Sequence, residues 1–196
     1  MRHRILLATL LALAPLSAGC ISTNETPAGK ESNWDALVLF SERASNDDFV
    51  DDYPAIGFQV ATIQPGSGGW GLEAGANYGW GDGSGPGSAG TETRDTDFYE
   101  FGVGIHQTFR PDSALRPYFG LGGSWMRSYS TQRSATDKDT FTTYGAGVYA
   151  HTGVLWSPHR DATGRGTGIE FGLDLRGMLA DDADYLELSL ITGFGR

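Results

Sequence analysis

This chain has very little cysteine. One residue in 196, Cys20, carries a thiol, so an internal disulfide is excluded. Positive charge is also scarce, with 14 Lys and Arg against 24 Asp and Glu. The first 19 residues hold two arginines and no acids, which leaves 12 basic residues against 24 acidic ones beyond them. That balance argues against a nucleic-acid partner, which needs a basic stripe, and against a chain attracted to anionic lipid headgroups. Helical periodicity is missing after residue 20, and so is any apolar run of about 20 residues, so no helix of this chain is expected to span a bilayer.

The longest apolar run, Ile5 to Leu16, follows the basic start Arg2-His3-Arg4 and precedes the small residues Ser17, Ala18 and Gly19. This is the order of a secretory signal, expected over residues 1–19. Leu16-Ser17-Ala18-Gly19-Cys20 resembles a bacterial lipobox, with the leucine one place earlier than usual. The resemblance implies that Cys20 is acylated and becomes the N-terminus, a firm anchor because more than one chain is attached. It also implies handling by the lipoprotein-sorting machinery, and Ile21, in place of Asp, favours delivery to the outer membrane. Residues 20–32, polar and containing Pro27 and Gly29, read as a tether.

What the rest of the chain does have is alternation. Strand-like segments are expected at 34–42, 53–63, 69–80, 97–109, 116–129, 141–156, 166–179 and 184–194. In the seventh, Ile169, Phe171, Leu173 and Leu175 oppose Glu170, Gly172, Asp174 and Arg176; in the third, Trp70, Leu72, Ala74, Ala76, Tyr78 and Trp80 oppose glycines, Glu73 and Asn77. Period two with a greasy face and a polar or glycine face describes a barrel apolar outside and polar within. The 29 glycines, spread through these segments, suit the crowded inside of a narrow barrel. Residues 43–52, 81–96 and 130–140 read as long polar loops, and 64–68 and 110–115 as short turns. Outer-membrane barrels have that asymmetry, long loops outside and short turns on the periplasmic side.

The aromatics carry the membrane expectation. Trp70 and Trp80 lie on one face, ten residues apart. At about 3.3 Å per residue and a tilt near 40°, they are roughly 25 Å apart along the axis, the height of a barrel's apolar band. Tyr144 and Trp156 bracket the sixth segment, and Trp34 and Trp125 fall near segment ends; all six are expected at the membrane interfaces.

Arg116-Pro117-Tyr118-Phe119-Gly120-Leu121-Gly122-Gly123 is similar to a strand common in small outer-membrane barrels, and Phe101-Gly102-Val103-Gly104 and Tyr144-Gly145-Ala146-Gly147 echo it. The chain resembles the OmpA transmembrane domain and OmpX over about residues 33–196. That resemblance implies an all-β, eight-stranded antiparallel up-and-down barrel inserted by the barrel-assembly machinery and in contact with outer-membrane lipids. It says little about function. The ending Gly193-Phe194-Gly195-Arg196 departs from the terminal aromatic usual in such barrels.

An eight-stranded barrel is filled by its own side chains. The fill expected here is Glu73, Asn77, Glu100, His106, Tyr149, His151, Glu170, Asp174, Arg176 and Glu187, with Glu100, Arg176 and Glu187 in the outer half and Glu73, His106, His151 and Glu170 nearer the periplasm. Buried charges must pair. The expected pairs are Arg176 with Glu187 or Glu100, His106 with Glu73, and His151 with Glu170. No cofactor or metal motif is present, although the acidic loops (Asp47, Asp48, Asp51, Asp52; Asp181, Asp182, Asp184) could meet and hold a divalent cation. The function expected is a non-enzymatic outer-membrane lipoprotein with a plugged lumen and loops for structural or surface-interaction roles, with no external partner identified. The alternatives are a lipid A-modifying barrel enzyme, for which the inward parity of His106 and His151 is unfavourable, and a lipid-tethered periplasmic barrel that binds a small apolar ligand.

Overall fold

The computed structural model describes residues 33–45, 53–64, 67–87, 90–134, 137–158, 168–180 and 184–195. The expected signal and tether, with Cys20, lie outside the described residues. Eight strands follow in order: β1 (Asn33–Ser45), β2 (Tyr53–Ile63), β3 (Trp70–Gly87), β4 (Gly90–Thr108), β5 (Leu115–Arg133), β6 (Lys138–Trp156), β7 (Gly168–Ala180) and β8 (Tyr185–Gly195). Apolar and aromatic residues alternate with polar residues or glycine through their central parts, the pattern that fits a pleated surface with two unlike sides.

Every strand pairs antiparallel with its sequence neighbours, and β8 returns to β1, closing the barrel. Within the closed part of the barrel no edge is left open to recruit another chain. The register is staggered. Traced once around, it leaves β1 at Asp35, passes Ala61, Glu73, Gly104, Gly122, Tyr149, Met178 and Tyr185, and meets β1 again at Ser45, ten residues further along. A stagger of that size tilts the strands by about 40° and sets a bore that side chains can fill.

Packing is inverted relative to a water-soluble domain. Phe40, Phe58, Phe101, Val103, Val148, Leu173 and Leu190 are exposed on the outer wall, whereas Asp35, Arg43, Glu100, Arg116, Asp174 and Glu187 are buried inside. The lumen side needs its glycines for space. A Cβ on Gly120 would lie 2.0 Å from His151 Nε2, and one on Gly122 2.4 Å from Tyr149 Oη. At the β2–β3 turn, Gly69 adopts φ 96°, a conformation that disfavours side chains.

The structure corrects the expected loops. Residues 81–87 and 90–96 are the continuation of β3 and β4, paired from Gly81↔Thr96 to Gly87↔Gly90, and 130–133 and 138–140 continue β5 and β6, with the Ser134 amide donating to the Asp137 carbonyl beyond them. Residues 43–45 continue β1, still paired with β8. The apolar alternation ends at the edge of the band because there is no lipid beyond it to face. The backbone ladder continues because the neighbouring strand still offers donors and acceptors. β3 to β6 therefore run 18–19 residues and form a tall wall, while β7, β8, β1 and β2 run 11–13.

Candidate functional site

The side chains that could carry function lie in three layers inside the barrel. The outer layer is built on two arginines and two glutamates. Arg43 Nε donates to Glu187 Oε2 at 2.6 Å, and its Nη2 donates to Glu100 Oε2 at 2.7 Å. Arg176 Nη2 donates to Glu100 Oε1 at 2.6 Å. Glu100 also accepts from Tyr185 and Ser124 hydroxyls, each at 2.6 Å, and Ser189 donates to Glu187 at 3.1 Å. The guanidiniums also stack, Arg43 over Tyr185 at 4.3 Å and Arg176 over Tyr149 at 3.9 Å. Above them Tyr53 and Phe98 stack 4.6 Å apart and pack with Met126 and Met178, a lid of rings and thioethers across the outer mouth. Arg43 is 0% exposed, so its charge is tolerable only because both carboxylates surround it.

The middle layer centres on His151. Its Nδ1 lies 2.9 Å from Asp174 Oδ1, and its Nε2 lies 3.0 Å from both oxygens of Glu73. A ring nitrogen facing an ionised carboxylate makes a hydrogen bond only as a donor, so with Asp174 and Glu73 both ionised both nitrogens carry protons. Tyr149 donates to Glu73 at 2.8 Å and Tyr118 to Asp174 at 2.6 Å, neutral donors that satisfy the remaining lone pairs. Below lies an apolar collar of Leu37, Leu39, Leu155 and Ile191 against Tyr118. The inner layer is Arg116, also 0% exposed, donating from Nη1 to Asp35 at 3.0 Å and from Nη2 to Glu170 and to Ser157.

The structure places all eight charged residues expected in the lumen on its inner face, together with Asn77 and Tyr149. Arg176 pairs with Glu100, one of its two expected partners, and Glu187 holds Arg43, a residue expected in a loop. His151 does not meet Glu170. In the β6–β7 register His151 faces Arg176 and Trp156 faces Phe171, so Glu170 lies near the barrel's inner end, beside Arg116. His106 comes only within 4.0 Å of Glu73, and neither ring nitrogen has a hydrogen-bond partner. Missed altogether were Asp35, Arg43, Arg116, Tyr118, Ser157 and Tyr185. Parity within the Arg116-Pro117-Tyr118 motif pointed Arg116 inward with Gly120 and Gly122. For Arg43 no such signal existed, because β1 is apolar on both faces.

Both lumen histidines are 3% exposed and face away from the outer wall, so neither reaches a molecule lying against it. The six aromatics Trp34, Trp70, Trp80, Trp125, Tyr144 and Trp156 point outward, 41–56% exposed. Trp34, Trp70 and Trp156 stand near the end that carries the short turns; Trp80, Trp125 and Tyr144 stand towards the other. Of the acidic-loop residues only Asp184 is described, and it accepts a hydrogen bond from the Ala180 amide. Asp47, Asp48, Asp51, Asp52, Asp181 and Asp182 lie outside the described residues. Among the described residues no group of three or more side chains is arranged to hold a metal.

A model of the outer membrane protein beta-barrel domain matches residues 7–184. The attachment invasion locus protein Ail of Yersinia pestis superposes with a TM-score of 0.55 at 13% identity, covering 85% of this chain and 100% of that one. Ail in complex with the heparin analogue sucrose octasulfate gives 0.56 at 11% identity, with 85% and 100% covered. OprG of Pseudomonas aeruginosa gives 0.48 at 12% identity, covering 84% of this chain and 93% of that one. At these identities the likeness concerns the fold. No curated protein matches in sequence.

Proposed function

The chain belongs to the outer-membrane β-barrel protein family, and from that premise we propose a non-enzymatic surface lipoprotein, anchored through Cys20 and spanning the bacterial outer membrane with its β3–β6 wall directed outward. The observation that carries this reading is the filled lumen. Arg43 of β1 with Glu100 of β4 at one level, and Arg116 of β5 with Asp35 of β1 at another, reach across the bore and fill it. A barrel closed in this way acts through its outside. The part of β3–β6 that rises past Trp80 bears Asp82, Arg94, Asp95, Arg133 and Lys138, a polar ribbon suited to contacts beyond the membrane.

Planar-bilayer recording of the purified protein tests the closed lumen: no discrete conductance steps are expected, and reproducible steps would refute the reading. Incorporation of labelled palmitate into wild type and its loss in Cys20→Ala tests the anchor. If Cys20→Ala still fractionates with the outer membrane and its unheated band migrates faster than the heated one, the barrel alone holds the chain there.

A further inference from the structure

At the outer edge of the apolar band the tall wall carries a cation that no neighbouring side chain among the described residues neutralises. Arg127 points out of the barrel between its register partners Tyr99 and Tyr144. Its guanidinium lies 4.2 Å from the ring centroid of Tyr129 and 5.4 Å from that of Tyr144. Its Nε is shielded from solvent and has no acceptor, and among the described residues Arg127 forms no ion pair. Asp97, diagonal to it on β4, accepts the Tyr78 hydroxyl at 2.7 Å instead. In a chain of net charge −10 the usual fate of an arginine is a carboxylate, so an unpaired one framed by tyrosines at the edge of the apolar band is poised for an external anion.

A groove of about 500 Å³ opens beside it on the lipid-facing wall, lined by Val38, Ile56, Phe58, Ala76, Phe101 and Trp125. Its lining is almost wholly apolar. Tyr99 and Trp125 join the two features: both line the groove, Tyr99 is paired with Arg127, and the Trp125 ring lies 6.0 Å from that of Tyr144. The ten-residue stagger gives the groove a direction. The register rises toward the outer end from β1 to β8, so a groove running from Trp125 on β5 to Val38 on β1 descends from the rim into the band. Above Arg127 the same face continues through Tyr129, Thr131 and Arg133, with Lys138 paired beside Arg133. A bulky headgroup seated on Arg127 therefore has a wall of hydroxyls and cations to lie against, whereas a small one does not reach it.

We propose that this wall holds one molecule of the phosphorylated glycolipid of the outer leaflet, lipid A, with a phosphate on Arg127 and an acyl chain in the groove. Arginine suits this role because its planar fork donates two parallel hydrogen bonds to phosphate while its faces remain stacked on tyrosine. The inference rests on the reading that the barrel spans the membrane with this wall outward, and the test separates the two. The full chain is refolded into phosphatidylcholine vesicles containing a minor fraction of bis-phosphorylated lipid A or of phosphatidylglycerol, extracted in mild detergent and weighed by native mass spectrometry. Unheated gel migration reports insertion in every sample. The expected result is one retained lipid A per chain. Retention should fall about tenfold or more in Arg127→Gln and in Ala76→Phe, which fills the groove, and should persist in Leu173→Ala on β7, across the barrel from β3. Equal retention in Arg127→Gln, or equal retention of phosphatidylglycerol, overturns the lipid site while the spanning barrel stands. Failure of wild type to insert at all overturns both.

Discussion

The strands β3 to β6 pass through two environments, and the same residue types behave differently in each. In the bore, the buried arginines are locked: Arg43 meets Glu187 at 2.6 Å and Glu100 at 2.7 Å with side chains at most 1% exposed. In the ribbon above it, Arg133 meets Asp95 at 3.6 Å with the two side chains 57% and 59% exposed. The backbone ladder is continuous across the boundary. What changes is the medium on either side of the sheet. A carboxylate without its partner in the bore has neither water nor a counter-charge; one on the ribbon has both. The lipid face and the bore therefore constrain the barrel segment twice over, while the ribbon is free to vary in composition.

Substitutions on the two sides of that boundary should separate by size of effect. Arg43→Ala should be the most damaging, about 3–5 kcal/mol in urea unfolding followed by gel migration, because Glu100 and Glu187 are left buried without their cation. A loss under 1 kcal/mol would show that water enters the outer layer freely. Leu190→Arg, exposed on the lipid face midway along β8, should cost about 2–4 kcal/mol in vesicles. The same arginine at Thr131 on the ribbon should cost less than about 0.5 kcal/mol, and comparable effects at the two sites would erase the boundary. Within the bore, the two histidines provide a sharper contrast. His151→Leu strands Glu73 and Asp174 and should cost about 3 kcal/mol. His106→Leu removes a ring without hydrogen-bond partners and should stay within about 1 kcal/mol of wild type, or gain stability. The smallest change is expected for Arg133→Ala, under about 1 kcal/mol and diminishing further in salt. A larger, salt-independent loss there would mean that the ribbon contributes to barrel stability.

Parity was readable wherever one face was plainly apolar. In β7 and β8 the leucines, Phe171 and Ile169 faced outward as the alternation required, and Glu170, Asp174, Arg176 and Glu187 followed inward. Partners were not readable. The pairing of His151 with Glu170 assumed that two inward residues on adjacent strands share a level, and the stagger moved Glu170 to the far end beside Arg116. Arg43 escaped notice because β1 buries Leu37 and Leu39 while exposing Phe40, which leaves its phase ambiguous. The hairpin ribbons escaped because residues such as Gly81-Asp82-Gly83 have turn composition and pair as strand only through the neighbour already in place.

The amino-acid sequence by itself determined the number of strands, the outward face of each clearly patterned one and the aromatic edges of the band. Those follow from the pleat, which sends successive side chains to opposite faces whatever the rest of the chain does. The tertiary structure alone decided the stagger of ten residues, and with it which arginine meets which carboxylate, how far the tall wall rises and where the groove runs. Closure is a condition on all eight strands together, and no local stretch of sequence carries it.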